Sequence, residues 1–303
     1  MSLYLKHRPP VLEQIKGNSE IVASLQNMLS NLDTCPHSFL LHGPTGCGKT
    51  TIARIIASKV GCVGDDYREV DSADFRGIDT IREIRKNSLY MAREGSYRVW
   101  VIDECHKMTN DAQNALLKIL EDTPPHVFFI LCTTEPQKLI ETIRGRCIQL
   151  QVYPLTETQM FGLLRGIVRK EGKELDRQVY DQIVQDSLGL PRNAINILEQ
   201  VLSVPKEQQM EMARRIADQQ SQMIELCRAL LNNSSWKKVK DILTGLKDQE
   251  PESIRRVVLG YCQSVLLKSE NDNAAGIIEA FWEPTYNIGF VGVIYACYVV
   301  TKK

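Results

Sequence analysis

A phosphate-binding motif lies in the first fifth of the 303-residue chain. Gly43, Gly48, Lys49 and Thr50 occupy the fixed positions of the pattern G-x-x-x-x-G-K-[ST]. The glycines let backbone N–H groups turn inward on phosphate oxygens, the lysine adds a point charge, and the threonine hydroxyl can ligate Mg²⁺. The motif therefore predicts a nucleoside triphosphate site. It would be formed by Gly43, Pro44, Thr45, Gly46, Cys47, Gly48, Lys49, Thr50 and Thr51.

Two adjacent carboxylates give a second chemical signal. Asp103 and Glu104 end the apolar run that starts at Tyr97. In enzymes with a phosphate loop, an aspartate at such a strand end holds Mg²⁺, and a neighbouring glutamate can orient and deprotonate a water. Two acids alone could form an ordinary turn, but the phosphate loop upstream favours hydrolysis. Thr134 ends the next apolar run and could position the same water, although polar strand ends are common.

These residues require a fold that brings several strand ends together. Apolar runs predict five strands, at 38–41, at the start of 68–79, and at 97–104, 127–134 and 148–152. Because helical patterns separate them, we predict a doubly wound, largely parallel α/β sheet with its ligand at the carboxyl ends of the strands. From Tyr153 onward all patterns are helical. We therefore predict three domains: an α/β domain at 1–152, a three-helix lid at 153–204 and an all-α domain at 205–303.

The composition limits the partners and the compartment. Lysine and arginine total 37, as do aspartate and glutamate, so nucleic acid could bind only at a local basic face. The nine cysteines include no C-x-x-C pair, which argues against a zinc module and favours buried, reduced thiols. The N-terminus has no apolar signal core, and the apolar stretch 288–300 is too short to span a membrane. We expect a soluble cytoplasmic protein with no membrane partner.

Two short segments allow two interpretations each. The basic residues around the helix after Gly77 form either a solvated face or a phosphate-binding strip for DNA. These residues are Arg76, Arg82, Arg85 and Lys86. Arg8 and Pro9 belong either to a rigid start of the domain or to a segment that folds over the nucleotide base.

The order of the motifs resembles that of the AAA+ ATPases. After the phosphate loop, or Walker A motif, come Asp103-Glu104, a strand-end threonine, Gly-Arg-Cys at 145–147 and Gly-Leu-Pro-Arg at 189–192. Three segments resemble the tau/gamma-type ATPase subunit of the bacterial sliding-clamp loader more specifically. They are VIDECHKM at 101–108, NALLKILEDTPPHV at 114–127 and TTEPQKL at 133–139.

Two further segments add to this resemblance, which runs from about residue 6 to about residue 200. Lys-His-Arg-Pro at 6–9 is similar to the family's arginine-proline box. The segment 72–79 is nearer to the small subunits of replication factor C, the eukaryotic loader. The remaining residues match only in length and helical character, so the third domain is expected to be the family's oligomerisation collar.

The resemblance implies roles for the residues nearest the phosphates. Lys49 and Thr50 would bind the triphosphate and Mg²⁺, Asp103 would hold the metal, and Glu104 would activate water. Thr134, or Thr133 in a register shifted by one, would be the sensor 1 residue.

The resemblance also implies two arginines with distinct roles. Arg192 would be the sensor 2 residue and reach the nucleotide from the lid. Arg146 resembles the arginine finger, which acts on the ATP of a neighbouring subunit and can contribute about 10³–10⁵ in rate. Activity would then depend on assembly.

The resemblance thus implies an ATPase subunit that opens a sliding clamp and places it on primer–template DNA. Its partners would be the clamp, the DNA, other loader subunits in a pentameric ring of one or several subunit types, and, indirectly, the DNA polymerase. Two alternatives remain: another AAA+ motor or initiator, for branch migration or origin loading, and a non-hydrolysing scaffold subunit. The intact set of Lys49, Asp103, Glu104 and Arg146 argues against the scaffold.

The chain departs from the bacterial family at three points. Gly145 replaces the family's serine, only Cys62 stands where four zinc-binding cysteines are expected, and the chain stops after the presumed collar. These departures would suit a phage-encoded or otherwise minimal loader subunit, working in a bacterial cell or a phage-infected host.

Overall fold

The computed structural model describes residues 2–72, 77–266, 270–285 and 288–302, without the side chains of 217–221 and 264. The described chain divides into two compact units, 1–209 and 210–303. The predicted boundary between the α/β domain and the lid falls inside the first unit and stays a prediction. Among the described helices, none combines the length and the apolar composition that crossing a bilayer would require.

The first unit is built on a five-stranded parallel sheet, which confirms the predicted fold class. Its spatial order is β2-β3-β4-β1-β5. The strands are β1 Ser38–His42, β2 Tyr67–Asp71, β3 Arg98–Asp103, β4 Val127–Thr133 and β5 Ile148–Gln151. The three strands that carry the predicted site, β1, β3 and β4, are therefore the three central ones.

In the described part of the first unit, six α-helices accompany the sheet and three more follow it. They are α1 Leu3–Lys6, α2 Ser19–Met28, α3 Lys49–Lys59, α4 Ile78–Ser88, α5 Asn110–Glu121 and α6 Glu141–Arg146, then α7 Glu157–Lys170, α8 Arg177–Asp186 and α9 Pro191–Leu202. Thr156 and Gln159 form a capping box that fixes the start of α7 and satisfies two otherwise unpaired donors.

Both faces of the sheet are buried, because alternate side chains of each central strand join different apolar clusters. Phe39 and Phe128 pack with residues of α2 and α3 on one face. Leu40 and Phe129 pack with residues of α4, α5 and α6 on the other. Continuous apolar strands of this kind place their polar residues at the strand ends, which is where the predicted site residues lie.

The second unit has its own apolar core. Its helices are α10 Gln209–Leu231, which starts at the unit boundary, α11 Trp236–Gly245, α12 Pro251–Leu266, α13 Asp272–Ala280 and α14 Gly289–Lys302. The apolar stretch that was too short for a membrane span is the body of α14. All nine cysteines of the chain are buried and unpaired, as the sequence predicts for reduced thiols.

A buried ion pair fastens the segment between α4 and β3. The Asp66 carboxylate accepts hydrogen bonds from the backbone N–H groups of 93–95 and contacts Arg98 Nη2 at 3.4 Å. Arg98 also donates to the carbonyl oxygens of Asn87 and Met91. Burial alone would raise the pKa of Asp66, but the backbone donors and Arg98 outweigh it and lower this pKa to about 2.

The segment held in this way presents apolar side chains to solvent. His126 Nε2 lies 3.1 Å from the Ser88 carbonyl oxygen and 3.0 Å from that of Tyr90. Leu89, Tyr90 and Met91 are nevertheless 71%, 58% and 67% exposed. Hydrogen bonds thus hold the backbone of this segment, while its three consecutive apolar side chains face solvent.

We predict that Asp66→Asn lowers the free energy of unfolding at pH 7 by about 3 kcal/mol, because Arg98 and the backbone donors lose a buried charge partner. A carboxyl group whose folded pKa is depressed stabilises the fold above its unfolded pKa and loses that contribution as the pH falls through the folded value. The parent should therefore lose part of its stability between about pH 4 and pH 2, and the variant should lack this part.

Denaturant unfolding of the full chain as a function of pH checks this prediction. Asp65→Asn, at an exposed neighbouring carboxyl group, is the matched control and should behave as the parent. Equal stability of parent and Asp66→Asn at pH 7 would contradict the assigned role.

Candidate functional site

The phosphate loop connects β1 to α3 and depends on backbone geometry that glycine permits. Gly43, Gly46 and Gly48 have φ values of 148°, 80° and 110°. A Cβ atom on Gly43 would lie 2.1 Å from the carbonyl oxygen of Val152, so any other residue would push β5 and β1 apart. α3 begins at Lys49, and its unpaired N–H groups and dipole favour an anion at the loop.

Lys49 is held inside the loop. Its side chain is buried, with 6% of the residue exposed, and Nζ donates to the carbonyl oxygens of Gly43 at 2.8 Å and Pro44 at 3.0 Å. Phosphate oxygens could take the place of these carbonyl acceptors without moving the ammonium out of the loop. The residue therefore fits the predicted role in phosphate binding.

Thr50 and Asp103 meet at the edge of the sheet. Thr50 Oγ1 donates to Asp103 Oδ2 at 2.9 Å, and the Glu104 backbone N–H donates to Asp103 Oδ1 at 2.9 Å. No cluster of three or more histidine, cysteine or acidic side chains is available for a metal in the described part of the chain. One hydroxyl and one carboxylate still fit Mg²⁺, which is usually held by one or two protein ligands with waters and substrate phosphates.

Glu104 follows at a strained point of the backbone. Its φ and ψ of 48° and 36° lie in the left-handed region, which costs a residue other than glycine about 1–2 kcal/mol. The strain turns the chain sharply at the end of β3, where Glu104 lines the same pocket as Lys49 and Thr50. Strain of this kind concentrates at functional sites.

The pocket has a volume of about 410 Å³ and lies entirely within the first unit. Its polar end is the phosphate loop with Asp103 and Glu104. Its other walls come from the N-terminal segment, from the residues before α7, and from α7 and α9. They include Arg8, Pro9, Ile15, Leu155, Gly162, Leu163, Gly166, Ile167, Arg192 and Ile195. A polar end together with walls that carry several apolar side chains suits a nucleotide, with phosphates at the loop and a base against the apolar side chains.

The N-terminal segment reaches the pocket because the two residues before Arg8 form ion pairs at the end of α7. Lys6 and His7 both contact the carboxylate of Glu171, directly after that helix. Arg8 and Pro9 then line the pocket, and burial and the nearby Arg54 lower the pKa of Arg8. The geometry is compatible with a segment folded over a base, and that role stays a prediction.

Arg192 is near the phosphate loop. Its backbone N–H donates to the Gly46 carbonyl oxygen at 3.3 Å, and its guanidinium lies 5.7 Å from the centre of the Tyr4 ring. Pro191 precedes it at the first position of α9, where proline stabilises the helix start. The predicted sensor 2 residue thus shares the pocket with Lys49.

The described residues that line the pocket do not include Arg146. It ends α6, where its guanidinium forms an ion pair with Glu121 and Nη1 donates to the Thr142 carbonyl oxygen at 3.3 Å. Both partners of the ion pair are exposed. This position suits an arginine that acts on another molecule and not on the pocket of its own chain.

The threonines at the end of β4 differ in their surroundings. Thr133 is fully buried, and its Oγ1 accepts from the Glu135 N–H at 3.0 Å and lies 3.0 Å from His106 Nδ1. Thr134, the next residue, is only partly buried. Neither lines the pocket as described, so the choice between them as sensor 1 stays a prediction.

The basic residues of α4 lie on one face, apart from the pocket. Arg76 lies outside the described residues. Arg82, Arg85 and Lys86 are exposed, and their spacing of three and four residues places them on the same side of the helix. Arg82 pairs with the exposed Asp79 at 2.9 Å, an exposed pair that contributes little stability. DNA contact by this face stays a prediction.

Sequence reasoning missed the residues that reach the site across the fold. His106 contacts Glu104 and Thr133, and Gly162 and Gly166 open the wall formed by α7. The position of His106, three residues after Asp103, was the one local signal. Gly162 and Gly166 gave no local signal, because the side of α7 that faces the pocket depends on how this helix packs.

Comparison with known proteins relates the chain to a replication family. Residues 65–156 match the family model described as DNA polymerase III, delta subunit. The DNA polymerase III subunit gamma/tau of Mycobacterium tuberculosis is 34% identical over 226 residues, covering 67% of this chain and 39% of that protein. Subunit tau of Bacillus subtilis is 30% identical over 307 residues, covering 92% and 54%. Subunit gamma of Buchnera aphidicola is 34% identical over 222 residues, covering 66% and 61%.

The chain therefore spans between about two-fifths and three-fifths of the length of these relatives. Among solved structures, Thermotoga maritima RuvB, described as a Holliday junction branch migration motor, superposes with a TM-score of 0.59 at 21% identity. The match covers 68% of this chain and 72% of RuvB. At this identity the likeness shows the fold alone.

We predict that Lys49→Ala weakens Mg·ATP binding by about 10- to 100-fold, because a charged hydrogen bond to phosphate is lost. Titration of the full chain with a fluorescent ATP analogue measures the effect. Lys59→Ala, at the exposed far end of the same helix, should bind as the parent does. Parental affinity in Lys49→Ala would remove this residue from the site.

Proposed function

We propose that the chain, a relative of the DNA polymerase III gamma/tau subunits, is a clamp-loader ATPase of the AAA+ class that binds and hydrolyses ATP to open a sliding clamp and place it on primer–template DNA. The observation that carries the hydrolytic part is the meeting of Thr50, Asp103 and Glu104 beside the phosphate loop. These residues come from β1–α3 and β3 and form one polar edge.

Each residue of this edge has a part in hydrolysis that its position supports. Lys49 and the loop N–H groups bind the phosphates of ATP, and Thr50 and Asp103 hold Mg²⁺. When bound, Mg²⁺ neutralises charge on the phosphate oxygens. Glu104 orients a water and accepts its proton, and Arg192 reaches the phosphates from α9.

Assembly supplies the part that the pocket lacks. Arg146 is exposed and stands outside its own pocket, so we assign it to the ATP of an adjacent subunit in a pentameric ring. An apolar face on α14 supports association through the second unit. Val291, Ile294, Tyr295 and Tyr298 recur at helical spacing on this face and are all exposed.

The remaining partners would bind the first unit. The fixed apolar triplet Leu89, Tyr90 and Met91 suits a protein partner, which we take to be the clamp. The basic face of Arg82, Arg85 and Lys86 suits DNA phosphates, and the polymerase would be engaged indirectly. Clamp loading would take place in the cytoplasm of a bacterium or of a phage-infected host.

No specific observation supports either alternative function, another AAA+ motor or initiator or a non-hydrolysing scaffold subunit. The likeness to RuvB extends to the fold and gives no support for branch migration. A scaffold subunit without hydrolysis would have no need for the Thr50–Asp103 contact or for a pocket that Glu104 lines.

We predict that a clamp and primer–template DNA together stimulate ATP hydrolysis by the chain assembled with its partner subunits. Arg82→Ala combined with Lys86→Ala should lose most of the DNA stimulation while basal hydrolysis is kept, because the pocket is untouched. The log–log salt dependence of DNA binding should fall by about one per removed charge.

Steady-state phosphate release with and without clamp and DNA, at several salt concentrations, measures both effects. Lys237→Ala combined with Lys238→Ala removes two exposed charges from the second unit and is the matched control. An unchanged salt slope and unchanged DNA stimulation in the α4 variant would make its basic face a solvated surface. Failure of clamp and DNA to stimulate the parent would contradict the proposed function.

We also predict that two inactive variants restore each other when mixed before assembly. Glu104→Gln lacks the base in its own pocket, and Arg146→Ala lacks the finger for its neighbour's pocket. A pocket with an intact Glu104 next to an intact Arg146 forms only when the two kinds of subunit sit side by side. Phosphate release by the mixture should therefore exceed that of either variant alone.

A second mixture separates this explanation from general stabilisation. Lys49→Ala and Glu104→Gln both damage the pocket of their own chain, so mixing them should restore no hydrolysis. Equal recovery in both mixtures, or recovery in neither, would contradict the assignment of Arg146 to a neighbouring site.

A further inference from the structure

His106 lies between the ends of two neighbouring central strands, β3 and β4. It belongs to the short turn that follows Glu104, and its side chain is almost fully buried. Its Nδ1 is 3.0 Å from Thr133 Oγ1 and 3.5 Å from Glu104 Oε2, and its Nε2 is 3.4 Å from Glu135 Oε1. The imidazole therefore touches the carboxylate of the proposed base on one strand end and two residues of the next.

The same strand end is connected to the phosphate loop. The carbonyl oxygen of Thr133 accepts the Gly43 N–H at 3.2 Å, and His42, the residue before Gly43, is paired with Thr133 in the sheet. A continuous set of contacts thus runs from the first glycine of the loop through Thr133 and His106 to Glu104. In the part of the chain that the structure describes, the Glu104 carboxylate has no other ion pair and no side-chain hydrogen bond.

We propose that His106 is a positioning residue for ATP hydrolysis, which holds the Glu104 carboxylate in register with the end of β4 and the phosphate loop. The proposal rests on the ATPase function proposed above. Glu104 needs such support because its backbone is in the left-handed region, so a small rotation would swing the carboxylate away from the pocket. A misplacement of about 1 Å can cost about 100-fold in rate.

The surroundings of His106 favour a neutral imidazole. Burial lowers its pKa, Glu104 and Glu135 oppose this, and Lys107 and Lys138 add to it. Lys138 also pairs with Glu135 at 2.9 Å, which weakens the pull of that carboxylate on the ring. A neutral imidazole has a single N–H, and when Nδ1 carries it this N–H faces both Thr133 Oγ1 and Glu104 Oε2.

His106→Ala should lower the single-turnover rate of ATP hydrolysis by about 10- to 100-fold in the assembled protein, with Mg·ATP affinity within about 2-fold of the parent. His106→Asn should recover most of the rate, because its amide nitrogen can occupy the place of Nδ1. His37→Ala is the matched control. His37 stacks on Phe128 and bonds to the Val127 carbonyl oxygen, so its loss should lower Tm and leave the rate unchanged.

A second readout does not depend on turnover. Glu104 raises the pKa of His106, so Glu104→Gln should lower that pKa in an NMR titration of the imidazole in the full chain. An unchanged pKa would overturn the contact. A parental rate in His106→Ala, or a loss of affinity and rate that His106→Asn does not relieve, would overturn the positioning role. If the parent itself hydrolyses no ATP, the proposed function fails, and the NMR result alone decides whether His106 holds Glu104.

Discussion

The carboxylate of Asp103 is the point on which the arrangement of the site depends. One oxygen accepts the Thr50 hydroxyl at the start of α3, and the other accepts the backbone N–H of Glu104. A single side chain therefore joins the phosphate loop, which belongs to β1, to the residue that would activate water, which belongs to β3. The two strands are not neighbours, because β4 lies between them in the sheet. The carboxylate spans that gap at the strand ends.

Much of this arrangement could be predicted from sequence because the chemistry depends on fixed local spacings. The glycines around Lys49 are required by their positive φ values, and Asp103 and Glu104 end a run whose apolar residues are buried on both faces of the sheet. The five-stranded parallel sheet was predictable for the same reason, since each central strand is an uninterrupted apolar run. The segment 68–71 was harder, because β2 is an edge strand with exposed polar residues.

The rest could not be predicted because it depends on residues that are far apart in the chain. His106 meets Thr133 only after β3 and β4 have paired, and Gly166 faces the pocket only because α7 packs beside it. The side of α4 that carries Arg82 and Lys86 faces away from the core because Ile81 and Ile84 are buried in it. The roles of Arg146 and of the α14 face involve other molecules, so they depend on surfaces that the sequence of one chain does not contain.

The position of Arg146 has a physical consequence for control of the proposed activity. Lys49, Thr50, Asp103, Glu104 and Arg192 all belong to one pocket and one compact unit, so under the proposed function a single chain would bind nucleotide with the groups that it contains. The positive charge that would complete the transition state is held elsewhere, in an exposed ion pair with Glu121. Exposed pairs of this kind contribute about 0–1 kcal/mol, so the guanidinium can exchange Glu121 for the phosphates of an adjacent subunit at small cost. Binding would then belong to the chain and hydrolysis to the assembly, and a partner that changes how subunits meet would change the rate without touching any residue of the pocket.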